Sequence, residues 1–435
     1  MTVRTFLLVV SPLLLLSAAL GFVAAEARAR PKPPTIYWPE DVVQEMRSLV
    51  EETYVDEVSE AQARELFYAA CKAYLAGLDP YCDFYTPEER KSLEQETRGQ
   101  FGGVGILGLA TPGGILVQGA RHEDPAWKVG IRAGDHIVAV DGVETTTETA
   151  SEVLGRLRGA PGTAVRVAWL PAAGGDRREA EVTRDRIKID SVMGVAVLDG
   201  EAGIGYLRIA RFQENTAQDL RAALRLLRKD GARSFILDLR SDYGGVLNAA
   251  VASADAFLSE GVVVHTKGRG GIEKPLHVAG PDPEDELEAT LLVLVDGATA
   301  SASEILAGAL QDHGRAVLVG ERTYGKFLVQ RIVPLQGAEH VAVRLTTARY
   351  FTPFLRNLQR NDARNVRGGL IPEVPVPVSD AHRKAVEAWF RDQVGLDWDV
   401  VPGLTSDRKP TADPVLDRAV ALLRDDAVVQ KAMGR

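Results

Sequence analysis

The residues with the clearest potential for chemistry follow an apolar segment that ends at Val295. Ser301 and Glu304 have the spacing of a helix capping box, so the sequence predicts Ser301 at a helix N-terminus after a tight turn. Lys326 comes 25 positions after Ser301 in a turn that contains glycine, and Gln330 lies four positions further on. A helix N-terminus offers free N–H groups and a positive dipole end, which suit a developing oxyanion. The pattern therefore favours a serine nucleophile with a lysine base.

Each of these residues also has an ordinary structural interpretation. Ser301 can serve as a helix cap alone, and a single lysine is usually a solvated surface charge. Lys326 can act as a base only if it is neutral near pH 7, so burial must lower its pKa from about 10.4 by several units. Serine–lysine pairs are a known variant of nucleophile activation. Gln330 carries no charge and could orient the amine by hydrogen bonding without re-protonating it.

A histidine base is the alternative chemistry. The chain has seven histidines, and His313 is the nearest in sequence to Ser301. Twelve residues along one helix correspond to a rise of about 18 Å, too far for a hydrogen bond. No Gly-x-Ser-x-Gly elbow occurs in the sequence. The sequence therefore disfavours a histidine-based triad.

The elements that must position these residues begin near residue 200, where apolar strands alternate with helices. The predicted strands are Ile204–Ile209, Phe235–Leu239, Leu291–Val295 and Ala316–Val319. A helix with one apolar face runs between the first two strands, with Asn215 or Thr216 as its cap and Gly231 after its end. This alternation predicts an α/β domain. Residues 39–98 show helical spacing instead, and Gly77 ends one of those helices.

Residues 99–189 have short apolar segments between glycine turns, which is typical of strands. The predicted strands are Ile115–Val117, His136–Val140 and Val165–Trp169, and Asp141-Gly142 is a strong tight-turn signal. The sequence AWKVGIRAGD, from Ala126 to Asp135, resembles the ligand-binding module known as a PDZ domain. Val129 stands where the PDZ pattern has its second alanine.

Composition limits the function classes. A net charge of -9 argues against nucleic acid as a partner, because phosphate binding usually needs a basic surface. The two cysteines, Cys71 and Cys82, cannot complete a zinc site without a histidine cluster. A disulfide between them and two free thiols are both compatible with the sequence.

The N-terminus carries an apolar run without charged residues at positions 6–25. We interpret residues 1–27 as either a cleaved signal peptide or a membrane anchor, and both remain open. Three prolines mark residues 28–38 as a linker. The working part of the chain is therefore expected to be exported, on the periplasmic or extracytoplasmic face of the membrane, with membrane association through residues 6–25.

Three segments carry a family resemblance: Ser301–Ala316, Val319–Lys326 and Val329-Gln330. Together they resemble the signature of carboxyl-terminal processing (tail-specific) serine proteases. That resemblance implies Ser301 as nucleophile, Lys326 as general base and Gln330 as its support. It also covers Gly77–Pro80, Phe101–Gly105 and Thr346–Tyr350, and hence nearly the whole exported chain.

By the same resemblance, Asp238–Gly245 is the glycine loop that donates a backbone N–H group to the oxyanion hole. The implied donors are Ala302 with Gly244 or Gly245. Asp242 and Tyr243 precede the glycines where the family usually has Asn-Pro, and Phe327 follows the lysine where the family usually has glycine. A long charged loop from Phe354 to Gly369 replaces a short turn.

The resemblance implies a multidomain α/β protein. Its parts are a helical region at 39–98, a mostly β PDZ domain inserted at 99–189, a crotonase-like Ser–Lys protease core at 190–380 and a helical region at 381–435. The implied function is cleavage of exported proteins near their C-terminal tails, without a metal or organic cofactor. The tail carboxylate would bind the PDZ loop, formed by Phe101, Gly102, Gly103, Val104 and Gly105. An adaptor or activator protein is a further implied partner.

Two other functions are compatible with the sequence. The first is an inert scaffold whose PDZ domain binds the C-termini of exported proteins, and Tyr243 and Phe327 are the residues that raise it. The second is a cytoplasmic acyl-CoA enzyme with the crotonase-like core. Export and a PDZ domain fit that second function poorly.

Overall fold

The computed structural model describes residues 40–425, except for 112–113, 148, 272, 279, 281–287, 362–363, 365, 392–397 and 401–412. The proposed signal or anchor and the linker lie outside the described residues. Within the described part of the chain, no helix has the length and apolar character needed to cross a membrane. The described residues divide into two compact units, with the boundary between Ala70 and Cys71.

The first unit contains α1 (Glu40–Thr53) and most of α2 (Glu60–Ala76), so the predicted helix end at Gly77 is confirmed. The second unit continues with β1 (Asp83–Tyr85) and α3 (Pro87–Arg98). Thr86 caps α3, because its side chain accepts the N–H of Glu89 while the Glu89 side chain accepts the N–H of Thr86. The region expected to be helical thus also contains one short strand. Cys71 and Cys82 are free thiols.

Residues 100–188, here called the β-rich region, fold around their own apolar core. Their elements are β2 (Gln100–Gly103), β3 (Ile106–Thr111), β4 (Gly114–Arg121), α4 (Pro125–Lys128), β5 (His136–Val140), β6 (Val143–Glu144), α5 (Ala150–Leu157), β7 (Ala164–Leu170), β8 (Arg178–Thr183) and β9 (Asp185–Lys188). The predicted turn at Asp141-Gly142 is confirmed, since both residues have positive φ between β5 and β6. Alternate residues of the strands, such as Val117 and Val167, have no exposed surface.

The larger part of the second unit is an α/β layer structure. Its elements are β10 (Val192–Asp199), β11 (Ile204–Ile209), α6 (Thr216–Lys229), β12 (Ser234–Asp238), α7 (Leu247–Ala254), β13 (Val262–Gly268), β14 (Glu273–His277), β15 (Thr290–Val295), α8 (Ala302–Asp312), β16 (Val317–Gly320), β17 (Leu328–Leu335), β18 (Ala338–Phe351), β19 (Val374–Pro375), α9 (Asp380–Arg391), β20 (Trp398–Val400) and α10 (Pro414–Arg424). The four strands and the helix predicted beyond residue 200 are therefore confirmed.

A central sheet has the strand order β10-β11-β12-β15-β16-β19. β10 is antiparallel to β11, and the other neighbours are parallel. Parallel neighbours need crossover connections, which α6 and α8 provide between successive strands. A second sheet joins β1, β18, β13 and β14, with β17 paired to β18.

The strands of the central sheet are apolar on both sides, and helices cover both of its faces. Phe235 and Leu237 pack with α6, α7 and α8, whereas Ile236 packs with α9 and α10. The C-terminal region is not purely helical, since β20 pairs with β4 through Trp398 and Arg121. This pairing carries the C-terminal segment to the sheet of the β-rich region.

A buried ion cluster connects α10 to the end of β12. Arg240 donates to both carboxylate oxygens of Asp238 and to both of Asp413, at 2.7–3.1 Å. Tyr206 donates its hydroxyl to Asp238 at 2.9 Å, and Asp413 caps α10 by accepting the N–H of Leu416. All the charges are satisfied inside the protein, so removing one partner should be costly.

We therefore expect Arg240→Met to lower the free energy of unfolding by about 3–5 kcal/mol, because two carboxylates lose their cation in the interior. Chemical denaturation followed by circular dichroism measures the change. The matched control is Arg90→Met, which removes a partly exposed pair with Glu94 and should cost less than about 1 kcal/mol. Equal effects of the two substitutions would contradict the stabilising role of the cluster.

Candidate active site

Ser301 lies in a strained turn between β15 and α8. Its φ is 59° and its ψ is -116°, a backbone conformation that L-residues rarely adopt. The preceding turn is held by Asp296, whose Oδ1 accepts the N–H groups of Ala298 and Thr299. Ser301 is the N-cap of α8, as predicted, and its side chain is half-buried. The strain presents this serine at the positive end of the helix dipole.

Glu304 joins the segment of Ser301 to the segment of Lys326. Its Oε2 accepts the N–H of Ser301 at 2.9 Å and the N–H of Lys326 at 2.8 Å. Its Oε1 accepts the N–H of Gly325 at 2.7 Å and the hydroxyl of Thr323 at 2.6 Å. The sequence marked Glu304 only as a helix-capping residue. Its bonds to the lysine turn bring the predicted nucleophile and base into one cluster.

Lys326 is half-buried, and its environment favours the neutral amine. Burial lowers its pKa and the charge of Arg344 lowers it further, while Glu304 and Asp79 act in the opposite direction. The Nζ atom lies 4.9 Å from the centroid of the Tyr81 ring. The sequence required burial to lower the pKa of Lys326, and the direction of the shift agrees with that requirement.

Tyr350 contacts the same two segments, those of Ser301 and Lys326, through its hydroxyl group. Its hydroxyl contacts the carbonyl of Ser301 at 3.1 Å and also the carbonyl of Lys326. Phe327 stacks on the Tyr350 ring, with centroids 4.4 Å apart, and is fully buried. The bulky residue after the lysine therefore lies in the core. The sequence alone gave no signal for the role of Tyr350 beyond its place in a family motif.

Gln330 lies in β17, four positions after Lys326. Its Nε2 donates to Thr346 Oγ1 at 3.3 Å, and the two residues are direct partners in the β17–β18 ladder. Thr346 also bonds to the Asp79 carboxylate. In the described part of the chain, the amide of Gln330 is thus bonded to Thr346 rather than to Lys326.

The glycine loop lies against Ser301. A Cβ atom on Gly244 would come within 2.8 Å of the Ala302 nitrogen and 2.9 Å of Ser301 Cβ. Gly244 has a φ of 95° and Gly245 a φ of 147°, so both the space and the backbone require glycine at Gly244. Gly244 donates its N–H to Asp242 Oδ1 at 2.8 Å. The structure thus brings Gly244 next to Ser301 and Ala302, whereas a Cβ on Gly245 would meet the backbone of Phe212.

The predicted PDZ loop is built inside the β-rich region. Phe101 and Gly102 pair with β9, and the carbonyl of Gly102 accepts the N–H of Gly159 at 3.0 Å. The carbonyl of Val104 accepts the N–H of Ala126 at 2.8 Å. Gly103 has no room for a Cβ, which would lie 2.8 Å from the Phe101 ring. Gly105 has a φ of 81° and faces Asp124.

His313 is at the opposite end of α8 from Ser301. It is the C-cap residue of that helix, and its Nε2 contacts the carbonyl of Val262 at 2.8 Å. This placement agrees with the prediction that His313 is too far along the helix to serve as the base.

We expect Glu304→Gln to lower kcat/KM about 10- to 100-fold, because an amide nitrogen must replace one oxygen that accepts two hydrogen bonds. The lost acceptor should also lower the free energy of unfolding by about 2–4 kcal/mol. Steady-state peptide hydrolysis and thermal unfolding measure both effects. The control is Glu373→Gln, an exposed carboxylate that accepts the N–H of Leu318. If both variants behave like the parent protein, Glu304 does not hold the site together.

Lys326→Met should raise the free energy of unfolding at pH 7, and the gain should shrink as the pH approaches 10.5. The folded-state pKa of Lys326 is lowered, so between that value and 10.5 the unfolded chain binds the proton more readily. The stability of the parent protein therefore rises with pH across this window. Denaturant titrations at pH 7 to 10 test this, with the exposed Lys229→Met as control. A gain independent of pH would contradict the lowered pKa.

Comparison with known proteins places the chain in a family. Residues 203–376 match the model of peptidase family S41, and residues 121–170 match that of the PDZ domain. The carboxy-terminal-processing protease of Bartonella bacilliformis is 36% identical over 320 residues, which are 72% of this chain and 71% of that protein. The carboxyl-terminal-processing protease of Picosynechococcus is 36% identical over 321 residues, covering 73% and 74%.

A solved structure, the photosystem II D1 C-terminal processing protease, is 32% identical and covers 77% of this chain and 86% of its own, with a TM-score of 0.42. The sequence relatives and the matched models together confirm the resemblance found in the motifs. The chain belongs to the carboxyl-terminal-processing protease family, peptidase family S41, and carries a PDZ domain.

Proposed function

We propose that this protein is an exported serine endopeptidase that cleaves other proteins near their C-terminal tails, with Ser301 as nucleophile and Lys326 as general base. The observation that carries the proposal is the shared bonding of both residues to Glu304 Oε2. The lowered pKa of Lys326, caused first by burial, supports the assignment of the base. Names of relatives that refer to carboxyl-terminal processing support the substrate class.

In the proposed reaction, neutral Lys326 takes the proton of the Ser301 hydroxyl as Oγ attacks the peptide carbonyl. The lysine then passes that proton to the leaving amine, and water hydrolyses the acyl-enzyme. In this proposal Gln330 supports the lysine indirectly from the neighbouring strand, where its side-chain amide donates to Thr346 Oγ1.

The oxyanion would rest on backbone N–H groups, of which Ala302 is the first because the first N–H groups of a helix have no acceptor within it. Gly244 or Gly245 supplies the second. Gly245 is the better candidate, because the N–H of Gly244 is already donated to Asp242. Losing one such donor typically costs about 3 kcal/mol of barrier.

We further propose that the PDZ domain captures the free carboxylate of the substrate tail. The loop of Phe101, Gly102, Gly103, Val104 and Gly105 would supply N–H groups, and an adjacent strand edge would extend the peptide. An adaptor or activator protein is an additional proposed partner. The N-terminal apolar run supports export to the periplasmic or extracytoplasmic side of the membrane.

The four parallel pairings of the central sheet, covered by helices on both faces, support the proposal of a crotonase-like core at 190–380. We also propose a helical region at 39–98, a PDZ domain at 99–189 and a C-terminal region at 381–435. Phe327 and Tyr243 were the two residues that favoured an inert scaffold. Phe327 no longer supports that alternative, because it is buried against Tyr350. Tyr243 remains largely exposed in the glycine loop.

Ser301→Ala and Lys326→Ala should each lower cleavage of an unstructured protein with an apolar C-terminus by at least about a thousandfold. Mass spectrometry of the products measures the rate and identifies the bonds cut. Ser259→Ala and Lys229→Ala, both on exposed residues, are the matched controls. Amidation of the substrate's terminal carboxylate should raise KM if the PDZ domain reads it.

Activity retained by Ser301→Ala would contradict the assignment of the nucleophile. If the parent protein and both variants bind the tail equally without cutting it, the inert scaffold becomes the better description.

A further inference from the structure

Asp242 ties the glycine loop to the turn of the nucleophile. Its carboxylate accepts the N–H of Gly244 at 2.8 Å, which makes a local side-chain turn across the loop. Its main-chain carbonyl accepts the N–H of Ala300 at 3.0 Å and the hydroxyl of Ser303 at 3.1 Å. One residue thus contacts the chain immediately before Ser301, the first turn of α8 and the glycines themselves.

The carboxylate of Asp242 is fully buried, and only one of its oxygens has a hydrogen-bond donor. Oδ1 receives the Gly244 N–H, whereas no described residue makes a hydrogen bond to Oδ2. An ionised carboxylate accepts through both oxygens, so this environment serves the charged form poorly. A protonated carboxyl group can keep the Oδ1 bond and carries no charge.

The charged groups around Asp242 offset little of this cost. Arg208 and Arg211, at the end of β11, lower the pKa of Asp242 through their charges. Arg208 stacks on the Phe390 ring at 3.9 Å, and Arg211 pairs with Glu96.

On the remaining sides of the loop, Asp296 accepts the N–H of Ser241, Arg240 is engaged by Asp238 and Asp413, and Glu304 holds the first turn of α8. Burial outweighs the hydrogen bond from Gly244, the nearby Ser303 hydroxyl and the two arginines, and raises the pKa of Asp242 to about 7.

We propose that Asp242 is a positioning residue of the oxyanion hole, and that only its neutral form leaves the hole fully competent for hydrolysis. The proposal rests on the proposed Ser301–Lys326 mechanism. In the neutral form the carbonyl oxygen of the carboxyl group holds the Gly244 N–H, as an asparagine side chain would, and the loop keeps its shape. In the ionised form the loop holds a negative charge beside the place where the oxyanion develops, and the two charges repel in a site shielded from water.

The proposal predicts that activity depends on pH through two groups that must be in opposite protonation states. Lys326 must be deprotonated and Asp242 must be protonated, so activity depends on the product of the two populations. The slope of log(kcat/KM) against pH should therefore decrease at two separate pH values, one for each group. The decrease near pH 7 belongs to Asp242.

The test compares the full-length parent protein with Asp242→Asn between pH 5 and pH 9. The substrate is an unstructured protein tail without histidine or cysteine, so that the substrate itself does not titrate in this range. Asparagine keeps the bond to Gly244 and stays neutral. The ratio of kcat/KM for Asp242→Asn to that of the parent should rise by up to about tenfold for each pH unit above 7. Asp230→Asn, which removes an exposed carboxylate, is the matched control and should follow the parent profile.

A second variant guards against a folding defect in the first. Asp242→Ser can form a similar turn through its hydroxyl without a charge, and should lose the same ionisation from the profile. If neither variant folds, the parent profile still decides, because a profile whose slope does not decrease near pH 7 overturns the proposal.

Thermal unfolding gives a readout independent of activity. The folded-state pKa of Asp242 is raised, so the folded protein binds the proton more readily than the unfolded chain between about pH 4 and pH 7. The stability of the parent should fall with pH across that window relative to Asp242→Asn. Parallel profiles and a constant stability difference would refute the role of Asp242 while leaving the serine–lysine mechanism intact. Absence of cleavage at every pH, or equal cleavage by Ser301→Ala, would contradict the proposed function itself.

Discussion

The buried carboxylate of Glu304 accepts hydrogen bonds from two chain segments that approach each other only in the folded protein. Burial raises the pKa of this glutamate, although its four hydrogen-bond donors act in the opposite direction. Since one oxygen receives the N–H groups of both Ser301 and Lys326, the relative position of the two residues depends on a single side chain. Tyr350 reinforces this arrangement through the carbonyl groups of the same two residues.

Other buried charges are arranged around the same sheet end. Arg240 donates hydrogen bonds to both Asp238 and Asp413, and this cluster attaches the C-terminal helix α10 to the strand that leads into the glycine loop. Asp296 then holds Ser241 on one side and the turn before Ser301 on the other. The carboxyl ends of adjacent parallel strands therefore place two loops side by side, as expected for ligand sites in α/β sheets. The C-terminal helices contribute to the site through packing and charge.

The departures from the family motif have different structural outcomes. Phe327 is buried in the core, where it stacks on Tyr350. Tyr243 projects into solvent from the glycine loop, one residue before Gly244. Asp242 keeps the loop turn but introduces a titratable group where an amide would be neutral. Asp242 and Tyr243 change the chemistry of the glycine loop, while Glu304 holds the backbone of Ser301 and Lys326.

The sequence by itself determined the strands and helices beyond residue 200, the serine at a helix start and the family, because these depend on local patterns of apolar residues and on short motifs. It marked Glu304 only as a capping residue and contained no sign of the bond between Arg240 and Asp413, which lie 173 positions apart. Only the tertiary structure decided the strained backbone of Ser301, the direction of the Lys326 pKa and the raised pKa of Asp242. The physical reason is that desolvation and hydrogen bonding sum over neighbours from distant segments, which no local pattern specifies.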